Sequence, residues 1–574
     1  MEVAAPLNTD ALSPIAERVW QTKYRRVGLD GNLDLMLTDT FRRVAKALAG
    51  AERSHRRRWE QSFFDVMDSL RFLPAGRVLA GAGAWGEATL FNCFVLPPPR
   101  NGTEGEVQIL EQACKTQELG GGVGFDVSEM APTGSLMNGI PAKGPVALLQ
   151  TLEEQVACRL ESGFRRAAMM ATMSCSHPDI GSFIGAKIKA DALRHFNLSV
   201  QISNAFLTAE VNERMWPLRF GGRELARVPA RGIWDELLKT AFMTAEPGVL
   251  FVDCINDFNN LWYRERLTAT NPCGEVPLPP FGACVLGSLN LAQFVLSPFA
   301  AEARIDEADL VRTSRIAVRM LDDVLDISAF PLPEQRAETL ATRRVGLGVM
   351  GLADALMMLG LRYDSAQART WLGHVMRLIR DSAYEASIGL AEERGAFPAF
   401  RRDDFLAGGF VATLDRPCRD DIARRGIRNS HLLAIAPTGS ISLLAGGISS
   451  GIEPAFAAEY ERPVPGCRTG ETIRIVDHAV QLWRARSDTD AVPPSFVEAV
   501  QVSPSDQLAM QVVAQEHVDG AISKTVQLAP DADFESFRRV FADAHSLGLK
   551  GCTVFRPGTP RGSLLSPVSP CSRD

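Results

Sequence analysis

The sequence predicts an α/β protein: a helical region at the N-terminus, then strands and long helices that alternate nearly to the C-terminus. Three observations carry this. Phe196–Val200, Val249–Val252 and Leu432–Ile435 are short apolar runs of strand length. Before and between them lie longer segments with helical periodicity, at Leu149–Leu160, Ile233–Phe242, Leu310–Leu325 and Ala366–Glu393. The chain has 574 residues and 46% hydrophobic content, enough for one large barrel with additions or for roughly two to four domains. In such folds the active residues are expected at strand ends and in loops.

Residues 12 to 72 read as helical. Ser13-Pro14 can open a helix, because proline suits the first helical position. Phe41, Val44, Ala45 and Leu48 form one apolar stripe; Phe63, Phe64, Met67 and Leu70 form another. This region is expected to be a packing cap without chemistry. Thr89–Leu96 reads as a short strand with Cys93 in its middle, ended by three prolines. In Lys115–Asp126, Gly120, Gly121, Gly122 and Gly124 permit left-handed dihedrals and close backbone approach. Such a loop can aim amides at a phosphate, although its spacing is neither that of a dinucleotide fingerprint nor that of a P-loop. The competing reading is a tight turn under a packed core.

After Arg165-Arg166, Met169 and Met170 are expected to pack rather than bind metal. His177–Ile184 reads as helical. Lys187, Lys189 and Arg194 lie in a basic stretch that either meets nucleotide phosphates or is ordinary surface charge. Arg344–Leu359 reads as helical, although Gly346, Gly348 and Gly351 would each cost about 1 kcal/mol in an exposed helix interior. Leu432–Ile435 reads as a buried strand running into Pro437-Thr438-Gly439-Ser440, a good anion cradle. Phe496–His517 is expected to be mainly helical, and Gly551–Gly558 to hold the last strand. The tail Ser563–Asp574 is rich in Ser and Pro and carries Cys571.

Composition excludes several classes. The net charge of -7 gives no support for nucleic-acid binding. The start lacks a basic segment followed by an apolar run, and no stretch of about 20 apolar residues is free of charges or turn signals, so a soluble cytoplasmic protein without membrane contact is expected. Eleven cysteines in a chain this long do not make a disulfide scaffold, and no C-x-x-C pair supports a zinc site. Any redox role must come from cysteines that meet in space.

The chain is organised around Asn271-Pro272-Cys273-Gly274-Glu275, with Cys284 eleven residues beyond Cys273. If this stretch is extended, amide, thiol and carboxylate share one face. Pro272 cannot donate to a ladder, which places the stretch at a strand edge or end. The bland alternative is a buried cysteine near a turn.

Several separated motifs together resemble the catalytic subunit of adenosylcobalamin-dependent (class II) ribonucleotide reductases, over residues 12 to 560. They are Asn92-Cys93, Gly120–Phe125, Arg165-Arg166 with His177–Ile180, Asn271–Glu275, Cys284 through Gly287–Leu291, Pro437–Ser440, Ser450–Pro454 and Ile522–Thr525. The resemblance implies a ten-stranded α/β barrel of two half-barrels around a finger loop, with Cys273 at the loop tip. It implies three parts: 1–72 N-terminal helical region, 73–560 catalytic barrel, 561–574 short flexible tail. Cys273 would carry the radical, Glu275 would act as base, Asn271 would orient substrate, and Cys93 and Cys284 would be the redox pair. Pro437, Thr438, Gly439 and Ser440 would bind substrate phosphates, diphosphate preferred. An effector nucleoside triphosphate would touch Lys115, Gly121, Gly122, Lys187 and Lys189.

Adenosylcobalamin is the implied cofactor, with no protein metal site. The implied partners are a thioredoxin-like reductant and a second copy in a homodimer. No regulatory cone domain is expected before residue 12. Cys571 stands where the family commonly has a cysteine pair, and the five tyrosines include no adjacent pair, which favours a radical made locally. The alternatives are a different thiyl-radical reaction on a nucleotide, or a catalytically silent nucleotide-binding regulatory homologue. Retention of the thiol together with Asn271 and Glu275 opposes the silent reading.

Overall fold

The structure, a computed structural model, describes residues 12–26, 34–84, 88–137, 139–161, 168–189, 192–463, 472–557 and 566–567. Arg165-Arg166, Cys571 and all of the expected tail except 566–567 lie outside the described residues.

Helix α1 (Pro14–Val19) starts as its sequence predicts: the Ser13 hydroxyl accepts from the Ala16 amide at 3.3 Å, and proline occupies the first helical position. A π-turn, Trp20–Tyr24, follows, then α2 (Leu37–Leu48) and α3 (Arg56–Asp68). The two apolar stripes pack inward; Phe41, Val44, Phe63 and Met67 are fully buried.

Among the described residues, ten strands form the main sheet. They are β1 (Phe72–Pro74), β2 (Cys93–Val95), β3 (Gly122–Asp126), β4 (Met169–Ser174), β5 (Phe196–Ile202), β6 (Gly248–Phe251), β7 (Ala283–Asn290), β8 (Val345–Met350), β9 (Thr525–Gln527) and β10 (Gly551–Phe555). Strands β2 through β6 run parallel in sequence order. β10 joins β6 antiparallel and β9 joins β10 parallel. At the other end β7 pairs antiparallel with β2 and β1, and parallel with β8. Helices α4 (Thr103–Glu118), α5 (Glu307–Ile327) and α6 (Ala366–Arg394) are among the connecting helices. Parallel strands joined through helices are the pattern expected of an α/β fold.

The continuous ladders stop between β8 and β9. Residues 432–435 span this gap with two isolated parallel bridges, Leu347 to Leu433 and Ile435 to Ile522. The expected strand there is buried but is not a full strand. Its Leu432 and Leu433 amides donate to the Asp519 carboxylate at 2.9 and 2.8 Å instead of to a neighbouring backbone.

The expected helix Arg344–Leu359 is also corrected. Val345–Met350 is strand β8, wholly buried, and only Leu352–Met358 is helical. Gly346 and Gly348 lie two residues apart, hence on one face of a strand. A Cβ at Gly346 would sit 2.5 Å from Leu286, and one at Gly348 2.5 Å from the Ala434 carbonyl oxygen. These glycines admit a neighbouring chain segment, which a helix at this position would not need. Similarly, Cys93 is the first residue of its strand rather than the middle, and the helix expected at His177 begins at Ile180.

Candidate active site

A hairpin crosses the sheet's interior. Its paired ends are Ala269–Thr270 and Pro277–Leu278, and residues 271–276 form the tip. The Gly274 amide donates to the Asn271 carbonyl at 3.1 Å, closing a turn with Pro272 at its second position. Gly274 has φ +82°, a conformation that favours glycine. The extended stretch expected at Asn271–Glu275 is therefore a turn. The chain reverses here, and the reversal, not strand alternation, brings the amide and the carboxylate together.

The hairpin is gripped from both sides. Asn197 donates to the Pro272 carbonyl at 2.7 Å, and the Thr172 hydroxyl donates to the Thr268 carbonyl at 2.9 Å. On the opposite side the Ala521 amide donates to the Glu275 carbonyl at 2.9 Å. A Cβ on Gly124 would meet the Thr270 carbonyl at 1.9 Å, and one on Gly122 would meet Pro272 at 3.1 Å. The glycine-rich segment thus gives the hairpin room. Gly120 and Gly121 form its turn, and Gly122 and Gly124 belong to β3.

Within this grip, Asn271 Nδ2 donates to Glu275 Oε2 at 2.8 Å and to Cys93 Sγ at 3.1 Å. The Cys93 thiol also approaches Glu275 Oε1 at 3.8 Å. Asn271 Oδ1 accepts from the Val276 amide at 3.0 Å, which orients the side chain. Cys284 is the direct antiparallel partner of Cys93 in the β2–β7 ladder. Directly opposed Cβ atoms in such ladders lie about 4.5–5.5 Å apart, and a disulfide needs roughly 3.5–4.5 Å, so a small approach would join them. Both are free thiols. A Cβ at Gly346 would be 3.3 Å from Cys284 Sγ, so the glycine leaves the sulfur its space.

Asn271, Glu275, Cys93 and Cys284 are buried, whereas Cys273 on the turn is exposed to a cavity of about 280 Å³. Burial pushes Glu275 up to about 6, against the hydrogen bond from Asn271, which lowers it. Burial also pushes the Cys93 thiol well up, with the Glu275 charge adding to it. Cys284 is raised chiefly by burial; Cys273 opens on the cavity yet sits deep enough in the protein that desolvation, and then the Glu275 charge, raise it too. All three are therefore neutral S–H groups at pH 7, suited to giving up hydrogen and poor as standing nucleophiles.

The cavity collects most of the expected site. Asn271, Cys273, Glu275, Cys93, Gly121, Gly122 and Pro437–Ser440 all line it. Cys284 lies behind Cys93 and borders a separate pocket of about 20 Å³ with Arg344 and Lys550. Of the expected effector residues, Gly121 and Gly122 line this cavity and the three lysines do not. Lys115 is exposed on α4 and paired with Glu111 at 2.6 Å. Lys189 is exposed. Lys187 is buried, its ammonium 2.7 Å from Glu246, so it does not present a charge to a phosphate. Sequence reasoning missed Arg77, which brings a cation to the cavity wall. It also missed Tyr24, whose hydroxyl donates to Ser440 Oγ at 2.7 Å across 416 residues of sequence. No local pattern could have announced that contact.

Residues 91–555 match the family model described as ribonucleotide reductase, barrel domain, and residues 10–86 match ribonucleotide reductase, all-alpha domain. The chain is 37% identical over 555 residues to a vitamin B12-dependent ribonucleoside-diphosphate reductase of Mycobacterium tuberculosis (strain CDC 1551 / Oshkosh), covering 92% of this chain and 77% of the relative. It is 34% identical to the protein of the same name from Thermoplasma acidophilum, covering 88% of this chain and 66% of the relative. It is 30% identical to a ribonucleoside-diphosphate reductase subunit alpha of Synechocystis, covering 72% and 59%. With both of its parts matched, the chain belongs to the ribonucleotide reductase large-subunit family.

Proposed function

We propose that the chain reduces ribonucleoside diphosphates to their 2'-deoxy counterparts, with adenosylcobalamin as cofactor. The observation that carries the residue roles is the separation of three thiols into two settings: Cys93 and Cys284 face each other in register, while Cys273 stands apart on a turn, open to the cavity. The site fits the cofactor. The exposed thiol opens on the cavity that Gly121, Gly122 and Ala168 also line, and these small residues would hold the reactive end of the cofactor. When bound, adenosylcobalamin supplies a 5'-deoxyadenosyl radical.

Cys273 presents a neutral S–H, weak enough to cede its hydrogen, and the resulting sulfur radical takes hydrogen from the ribose 3' carbon. Glu275, more basic than an ordinary carboxylate, accepts the 3' hydroxyl proton. Asn271 holds Glu275 in place and supports charge developing on substrate oxygen. Cys93 and Cys284 deliver two hydrogens and become a disulfide, the 2' hydroxyl leaves as water, and Cys273 and Glu275 return the 3' hydrogen and the 3' hydroxyl proton to the sugar. The substrate phosphates rest on Pro437–Ser440, with Arg77 adding positive charge. A thioredoxin-like dithiol then exchanges with the disulfide, and a reducing, cytoplasmic setting would keep that dithiol supplied.

A homodimer is supported by Leu136 and Ile140, apolar side chains about 70% exposed on paired strands. Nucleoside triphosphate control would use the exposed Lys115 and Lys189. No described helix is long and apolar enough to cross a membrane. The deciding experiment incubates the protein with adenosylcobalamin, dithiothreitol and each ribonucleoside diphosphate. Deoxyribonucleotide that depends on the cofactor is expected, and none from any substrate would overturn the reading.

A further inference from the structure

The N-terminal helical region reads in sequence as a packing cap, yet one of its side chains reaches the cavity loop. Tyr24 ends the π-turn that follows α1, and α1 packs against the short helix Ile441–Leu444 that continues from Ser440. The tyrosine is 3% exposed. Its ring lies over Gly76, where a Cβ would come within 3.0 Å of the phenol oxygen and 3.1 Å of the ring edge. Gly76 and Ser440 both line the thiol cavity. The Tyr24 backbone is held as well, its carbonyl accepting from Arg43 at 3.3 Å. A buried phenol on a fixed backbone is thus set against one hydroxyl of the loop, at 2.7 Å.

A serine hydroxyl has one hydrogen and two acceptor lone pairs. When Tyr24 donates to Ser440 Oγ, the serine's own hydrogen is left free to point into the cavity, and the incoming hydrogen bond strengthens it as a donor. An anion needs donors, so this arrangement favours one. Without the phenol, the serine hydroxyl is free to turn its hydrogen to other acceptors. We propose that Tyr24 is a positioning residue of the substrate site: it fixes the Ser440 hydroxyl as a donor to the substrate's phosphate, and so makes the N-terminal region part of substrate binding. The inference rests on the reading of Pro437–Ser440 as the phosphate site.

The test measures steady-state reduction of cytidine diphosphate by the holoenzyme carrying Tyr24→Phe, Ser440→Ala, or both. Phenylalanine removes one oxygen and leaves the ring on Gly76; thermal unfolding checks that each variant is folded. Tyr24→Phe is expected to raise KM about threefold to tenfold, the usual worth of one hydrogen bond, with kcat within about twofold. Ser440→Ala is expected to raise KM at least as much, and the double variant no further than Ser440→Ala alone. A raised KM in Ser440→Ala with an unchanged KM in Tyr24→Phe would overturn the role of Tyr24 and leave the phosphate site standing. Multiplied effects in the double variant would also overturn it, because Tyr24 would not be acting through Ser440. An unchanged KM in Ser440→Ala would overturn the phosphate site itself, and the inference with it.

Discussion

Two buried polar clusters in this molecule are built on opposite principles. One joins the N-terminal region to α5 and α6. Arg319 reaches Glu52 at 2.6 Å, Arg394 reaches Glu52 at 2.8 Å and Asp323 at 2.6 Å, and Arg343 reaches Asp322 at 2.8 Å. The other is the thiol site, where Glu275 is met by a neutral amide and a weak thiol donor, and no cation lowers its proton affinity. Burial raises the cost of charge in both. In the first, the hydrogen bond from Arg319 and the charges of Arg394 and Arg319 outweigh it at Glu52 and hold that carboxyl below its ordinary value, while burial still raises the neighbouring Asp323. In the second nothing outweighs it, and Glu275 is pushed up to about 6. The difference separates a fastening from a reactive group: answered charges hold elements together, while an unanswered carboxylate is ready to change its protonation.

Glu275→Gln removes the reactive member and should produce the largest effect. With the base gone, kcat should fall about 10²–10⁴-fold. The fold should not suffer. A buried carboxylate with a raised pKa is a burden at pH 7, worth about 2 kcal/mol for a shift from 4.5 to about 6, so the unfolding midpoint should hold or rise. A large drop in stability would mean that Glu275 is a structural partner like Glu52.

Asp322→Ala acts on the other cluster and should do the reverse. It leaves Arg343 and Arg428 without a carboxylate they both contact, and should cost about 3–5 kcal/mol in denaturant unfolding. The folded fraction should keep its kcat. A loss of kcat without loss of stability would erase the distinction between the clusters.

The smallest effect is the pH dependence, and its two signs differ. Glu275 must be ionised to act as base, so kcat should fall up to tenfold per pH unit below about 6. Its contribution to stability is fully present below its unfolded value of 4.5 and is lost as pH rises through about 6. Glu52 works the other way: its contribution is present above its unfolded value of 4.5 and is lost as pH falls through its lower folded value. Titrating kcat and unfolding midpoint together checks both, and a kcat that is flat from pH 5 to 7 would count against Glu275 as base.

Much of this could be read from sequence. The helical stripes at Phe41–Leu48 and Phe63–Leu70, the strand at Phe196 and the long helix from Ala366 follow from periodicity, because each buries one face or a continuous run. Glycine misled the reading where its purpose was tertiary. Gly346 and Gly348 looked like flaws in a helix because the Leu286 side chain and the Ala434 carbonyl that need their space are distant in sequence. Gly122 and Gly124 suggested amides aimed at a phosphate, and the hairpin at Thr270 and Pro272, to which they give room, is a contact that no local reading could foresee. The pairing of Cys93 with Cys284 came from family resemblance, since no spacing rule connects residues so far apart. Lys187 looked available because a basic stretch in sequence does not show that Glu246 will fold over it.

The central claim is that the two electrons come from Cys93 and Cys284 while Cys273 only carries the radical. It is tested most directly by a single turnover of pre-reduced protein with adenosylcobalamin and cytidine diphosphate, without external dithiol, followed by disulfide mapping. About one deoxycytidine diphosphate per active chain is predicted, together with a new Cys93–Cys284 disulfide and a Cys273 that remains a free thiol; Cys273→Ser should yield neither product nor disulfide. A disulfide that includes Cys273, or product formed by Cys273→Ser, would contradict the account.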